Sequence, residues 1–178
     1  MSSDWECLAA ARRGDEVAWR QLVERHHRRL VGLVLLITGC PAAANDVAQE
    51  TFVRLLEAGP YRPTGTVQGL LSTIAYRLAV KESRWQRRQS DVEALNPSDS
   101  SPSPLERILR EERDRHVAAA IGSLDDAHRH TLVLRFYGGH SYAEIAELTG
   151  VPLGTVKSRI FHAVKSCHRI LRDKGIVE

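Results

Sequence analysis

The sequence predicts an all-α protein built as two small helical domains joined by a flexible linker. Three observations carry this. Leucine, alanine and arginine dominate while aromatic residues make up only 6% of the chain, a usage that favours helices over a β-sandwich. Apolar residues recur at three- and four-residue intervals through both halves. Between the halves, residues 96–104 read NPSDSSPSP, a polar, proline-rich run with nothing to bury. The expected division is therefore a first domain over residues 1–89, a linker over 90–104 and a second domain over 105–178. At 178 residues the chain is long enough for each half to have a core.

Residues 4–12 form a short first helix, punctuated by Gly14-Asp15. From 16 to about 38 the pattern is helical again. Trp19, Leu22, Val23, Leu30, Val34 and Ile37 supply its apolar surface, while Arg25, Arg28 and Arg29 stay in water. Gly39-Cys40-Pro41 ends that helix, since glycine and proline both break it. Residues 43–58 give the next one, with Val47, Ala48, Phe52, Leu55 and Leu56 inward and Asp46, Gln49, Glu50 and Val53 on another side. Residues 59–66, GPYRPTGT, are a loop. A long helix follows over 67–88, with Leu70, Leu71, Ile74, Leu78 and Trp85 facing the core. Its C-terminal half is basic, which also complements the helix dipole. After the linker, residues 105–124 carry Leu105, Ile108, Leu109, Val117, Ala120 and Ile121 on one side. Residues 125–137 place Leu132, Val133 and Phe136 inside, and Gly138-Gly139 stops them.

The stretch from 141 to 167, SYAEIAELTGVPLGTVKSRIFHAVKSC, reads as two helices joined by a tight turn. Ser141 caps the first, and Glu144 three residues later closes a capping box. Gly150 suits the left-handed residue just past a helix end. Pro152 cannot continue that helix, and Gly154 or Thr155 opens the second. There Val156, Ile160, Ala163 and Cys167 share one stripe, while Gly154, Lys157, Ser158, Phe161, His162 and Lys165 lie on or near the opposite side. No acidic residue occurs between Glu147 and Asp173. This is a helix-turn-helix whose second helix is free to enter a major groove; the plainer reading is a helical hairpin with a solvated basic face.

The formal net charge of +3 decides little, but its distribution is informative. Arg77, Lys81, Arg84, Arg87 and Arg88 face only Glu82 in one cluster, and the second helix of the helix-turn-helix is another. Two separated basic patches suit a long anionic partner. Three widely spaced cysteines argue against a disulfide scaffold or zinc knuckle and for a reducing compartment. The N-terminus shows no signal-peptide pattern, and the longest apolar run, residues 30–37, is too short to cross a bilayer. A soluble, cytoplasmic protein with no membrane insertion of its own is expected. The histidines show no H-x-x-x-H or H-E-x-x-H spacing, and no Walker loop or G-x-S-x-G occurs. Neither a metal, nor another cofactor, nor a catalytic residue is expected, and the chain is not read as an enzyme.

In this order the residues resemble the extracytoplasmic-function group of bacterial sigma factors, members of the sigma-70 family. The pieces LVLRF, SYAEIAELTGVP and GTVKSRIFHA are similar to region 4 of that family. AARRGDEVAWRQLVERHHRRL and DVAQETFVRLLEA are similar to region 2. The resemblance implies a region 2 domain that binds core RNA polymerase and opens the −10 promoter element, and a region 4 domain whose helix-turn-helix sits on the −35 element. It implies as partners the clamp helices of the largest polymerase subunit and the polymerase flap, promoter DNA, and an anti-sigma factor that covers the core-binding surfaces.

Carried over by position, Asp46, Gln49 and Glu50 are implied to meet the clamp helices; a carboxylate pair and an amide on one helix face suit a basic partner. Lys157, Ser158, Phe161 and His162 are implied to reach bases or backbone at −35, with Thr155, Arg159 and Lys165 on phosphates. On the −10 side, Tyr61 offers a stacking platform, Arg62 a phosphate contact, and Arg77, Lys81 and Arg84 contacts to the exposed strand. Leu70, Arg77 and Lys81 depart from the tryptophan, asparagine and aspartate usual there. His162 stands where arginine is common and cannot fork onto guanine. Two other readings compete: a helix-turn-helix regulator that binds duplex DNA without polymerase, and an enzyme with an appended DNA anchor. The DVAQE segment and the basic long helix weigh against the first, and the missing catalytic motifs against the second.

Overall fold

A computed structural model describes residues 3–57, 65–90 and 112–177. Among the described residues there are eight helices and no strand: α1 (Asp4–Ala11), α2 (Glu16–Thr38), α3 (Pro41–Glu57), α4 (Val67–Ser90), α5 (Glu112–Gly122), α6 (Asp126–Phe136), α7 (Tyr142–Thr149) and α8 (Leu153–Asp173). The all-helical expectation holds. Most of the expected linker, the segment with Leu105, Ile108 and Leu109, and the loop bearing Tyr61 and Arg62 lie outside the described residues.

Helices α1–α4 make the first bundle, and local chemistry sets their ends. Ser3 Oγ accepts from the Glu6 N–H while the Glu6 carboxylate accepts from the Ser3 N–H at 2.7 Å, a reciprocal cap on α1. Asp15 accepts from the N–H groups of Val17 and Ala18, both at 3.0 Å, and Gly39 ends α2 at φ 69°. α3 starts at Pro41, two residues before the sequence expectation, because a proline in the first turn forfeits no helical hydrogen bond. Leu22, Leu30, Leu55 and Leu71 are fully enclosed between these helices. Truncating any of them to alanine costs about 2–5 kcal/mol. A polar knot joins three elements: buried His26 lies 2.8 Å from Gln68 Oε1 on α4 and 2.9 Å from Asp4 Oδ2 on α1.

Helices α5–α8 form the second set, and the two sets lie against each other. One continuous core runs from Leu30, Leu33 and Ala75 of the first into Ile121, Leu124, Leu132, Val133 and Ala163 of the second. Two side chains expected inside are outside. Phe136 is 58% exposed and Trp85 49%. Both occupy positions that the periodicity places on the apolar stripe, but each sits near its helix's C-terminal end, where no other described helix covers it. No described helix is long and apolar enough to cross a membrane, and no cluster of three metal-ligating side chains occurs among the described residues.

Candidate nucleic-acid interface

The α7–turn–α8 unit is built as its sequence implies. Ser141 Oγ accepts from the Glu144 N–H at 3.2 Å, and the Glu144 carboxylate accepts from the Ser141 N–H at 2.7 Å. That second bond is the main cause holding the Glu144 carboxyl below its usual range. Gly150 closes α7 at φ 69°, donating to the Ala146 carbonyl. α8 opens at Leu153, not at Gly154 or Thr155. Pro152, at φ −58° and ψ 147°, already directs the chain into a helix and needs no hydroxyl cap. Leu134, Ile145, Val156 and Ile160 lock the unit from within.

The opposite side of α8 faces water. Lys157, Ser158, Phe161, His162 and Lys165 are exposed, whereas Thr155 and Arg159 are half-buried. Phe161 is 63% exposed, with its ring edge-on to His162 at 5.3 Å. His162 in turn meets His128 at 6.4 Å. Ser158 Oγ donates to the Thr155 carbonyl at 3.0 Å, so its lone pairs remain available outward. Sequence reasoning missed how far this basic surface extends. A groove of about 580 Å³ continues past Phe161, lined by His128, His162, Lys165, Arg169 and Arg172, with Asp125 the one carboxylate. The signal for it was present in the spacing 165, 169 and 172 along one helix face.

On α4, Arg77, Lys81 and Arg84 are all exposed. Leu70 packs against the first core, so it is a structural residue in this fold. Asp46, Gln49 and Glu50 are exposed together on α3, with Glu50 paired to Arg54 at 2.7 Å across one helical turn. Asp46 and Glu50 line a groove of about 390 Å³ with Leu78, Lys81 and Trp85. The acidic face of α3 therefore runs directly into the basic face of α4, with an exposed tryptophan between. Trp85 was invisible as a surface feature because its sequence position lies on the apolar stripe.

Tyr76 of α4 packs against the core of the helix-turn-helix. Burial raises the Tyr76 hydroxyl above its ordinary value, while Arg84 from α4 and Arg159 from α8 both pull it back down.

Comparison with known proteins agrees with this arrangement. Residues 22–89 match the family model described as sigma-70 region 2, and residues 115–167 the one described as sigma-70 region 4. The RNA polymerase sigma-H factor of Pseudomonas aeruginosa is 31% identical over 95% of this chain and 94% of its own length. The extracytoplasmic-function (ECF) RNA polymerase sigma factor SigE of Mycolicibacterium smegmatis is 36% identical over 83% of this chain and 60% of its own. A solved structure of CnrH in complex with the cytosolic domain of CnrY aligns over 97% of this chain and 99% of that one, at TM-score 0.65 and 25% identity. The sigma factor RpoE of Bartonella quintana, solved with the anti-sigma factor NepR, shares the fold at TM-score 0.66 and 18% identity over 86% of this chain and 96% of its own. With both regions matched in order and a relative aligned almost end to end, the chain belongs to the extracytoplasmic-function group of the sigma-70 family of RNA polymerase sigma factors.

Proposed function

We propose that this sigma factor divides its work among three faces. Asp46, Gln49 and Glu50 on α3 dock on the clamp helices of core polymerase, through charge-assisted bonds that replace the Glu50–Arg54 pair. Lys157, Ser158, Phe161 and His162 meet bases and backbone at −35, while Thr155, Arg159 and Lys165 hold phosphates. Tyr61 and Arg62, outside the described residues, together with Arg77, Lys81 and Arg84 on α4, bind the opened −10 strand. The working units are residues 1–89 and 105–178, with 90–104 between them. The protein acts in the cytoplasm, performs no chemistry itself, and contacts the polymerase flap through its second unit.

The observation that carries the reading is the outer face of α8: one-signed, uncovered, and bearing a phenylalanine 63% exposed. Such a ring costs solvation unless it meets an apolar surface such as thymine methyls. Because one structural neighbour was solved with an anti-sigma factor and another with the cytosolic domain of a partner, we extend the reading to an anti-sigma factor that covers the exposed faces of this chain.

Reconstituted transcription is the test, with purified chain, core polymerase and a promoter library. Start-specific transcripts and strand opening support the proposal. Tight duplex binding as a dimer at a palindrome, without polymerase, supports the conventional regulator instead.

A further inference from the structure

Cations near the start of α6 and along the second half of α8 are of two kinds. Arg129 is occupied: it pairs with Asp126 and donates to the Gly122 and Leu124 carbonyls, so it holds the α5–α6 turn. Lys165, Arg169 and Arg172 are exposed, and their side chains make no ion pair among the described residues. They line the groove beside α8 together with His128, His162 and His168. The carboxylate in that groove is already engaged. Asp125 Oδ1 accepts from the His128 N–H at 3.1 Å, and its Oδ2 lies 2.6 Å from His128 Nδ1, which leaves Nε2 of that ring for another partner.

Helix geometry joins these cations to the recognition face. At about 100° per residue, Lys157, Phe161, Lys165, Arg169 and Arg172 fall within an arc of about 120°. Lys157 and Arg172 nevertheless stand about 22 Å apart along the axis at ~1.5 Å per residue. A major groove is only about 12 Å wide. A helix whose first turns lie in that groove has therefore risen out of it by Arg169, at the level of the flanking phosphates. The groove is open, and no charged side chain lining it is buried, so it is not built to enclose a small anion. A row of exposed cations continuous with a DNA-reading face suits a long one.

We propose that this groove is a second phosphate track, in which His128, Arg169 and Arg172 take the sugar-phosphate backbone of duplex DNA flanking the −35 element. The proposal rests on the promoter reading above and extends it beyond the bases that α8 reads. Because phosphates are alike at every step, the track adds affinity without choosing sequence.

The test compares two duplexes by fluorescence anisotropy of the full chain. One ends at the −35 element, and the other adds a helical turn, about ten base pairs, of arbitrary sequence on each side. The parent should prefer the longer duplex whatever the flanking sequence. Arg169→Gln combined with Arg172→Gln should lower the salt slope on the longer duplex by about two and leave the shorter one unchanged. Relative to the parent, the variant should then lose about tenfold more affinity at 50 mM than at 200 mM salt. Arg169→Lys with Arg172→Lys should restore the slope, since a point charge serves a phosphate, and this separates charge from any loss of fold. An unchanged slope in the glutamine variant, or a parent indifferent to duplex length, would overturn the proposal. Unchanged duplex binding with fewer transcripts from the holoenzyme would also overturn it, and would assign the cations to an acidic protein surface. Inorganic pyrophosphate that abolishes the length preference at constant ionic strength would make the groove a small-anion site instead, again against the proposal. Scrambling the −35 bases tests the promoter reading separately: its failure would appear as equal affinity for both cores, with the length preference intact.

Discussion

Gly154→Ala separates what the fold needs from what DNA needs. Gly154 lies in the first turn of α8 with no positive φ, and nothing stands within 4 Å of where a Cβ would project. Neither backbone conformation nor packing calls for glycine there, and alanine is the better helix former by up to about 1 kcal/mol. In a chain of this size that raises the melting temperature by about 2–4 °C. If the outer face of α8 packs on a duplex at its N-terminal turn, the same methyl group enters that contact, where overpacking costs about 1–3 kcal/mol, or about 5-fold to 160-fold in affinity. Calorimetry of the free protein and fluorescence anisotropy on a −35 duplex measure the two effects. A raised melting temperature with unchanged duplex affinity would refute the reasoning, because it would put Gly154 in solvent in the complex as well.

Three further outcomes follow from the same geometry. Asp46→Arg combined with Glu50→Arg should weaken core-polymerase binding more than tenfold in a competition assay, while stability moves by only about 0.5 kcal/mol, because both residues are exposed and the Glu50–Arg54 pair is a surface pair. Lys165→Ala should lower affinity evenly across promoter sequences and reduce the salt slope by about one, whereas Phe161→Ala should alter discrimination at one base step. The Glu144 carboxyl is held below its unfolded value, so its contribution to stability is complete above that value and is lost as pH falls through the lower folded one. Glu144→Gln should therefore flatten part of the melting-temperature decline as pH falls below the free glutamate value of about 4.3; an unaltered slope would assign the decline to other groups.

Local chemistry was legible in the sequence wherever a few neighbouring residues decide the outcome. Ser141 with Glu144 fixes the start of α7, and Gly150 fixes its end, because each acts within a single turn. The exposed face of α8 was legible for a similar reason: the stripe Val156, Ile160 and Ala163 leaves only one direction for Lys157, Ser158 and His162. Phe136 and Trp85 were misplaced because periodicity identifies an apolar stripe but not how far a partner helix runs along it. The Arg29–Tyr137 bond was not legible at all. It joins residues 108 positions apart, and nothing in either local pattern marks the other.

Charge placement explains why a DNA-binding protein can carry a formal net charge of only +3. Cations on α4 and α8 serve a polyanion, and a uniformly basic surface would add affinity for any phosphate backbone without adding discrimination. The carboxylates of Asp46 and Glu50 suit a basic protein partner and disfavour DNA on the face proposed to meet it. Opposite signs on neighbouring helices therefore sort the two partners by face, and the groove where Asp46 and Glu50 meet Lys81 marks the border between them.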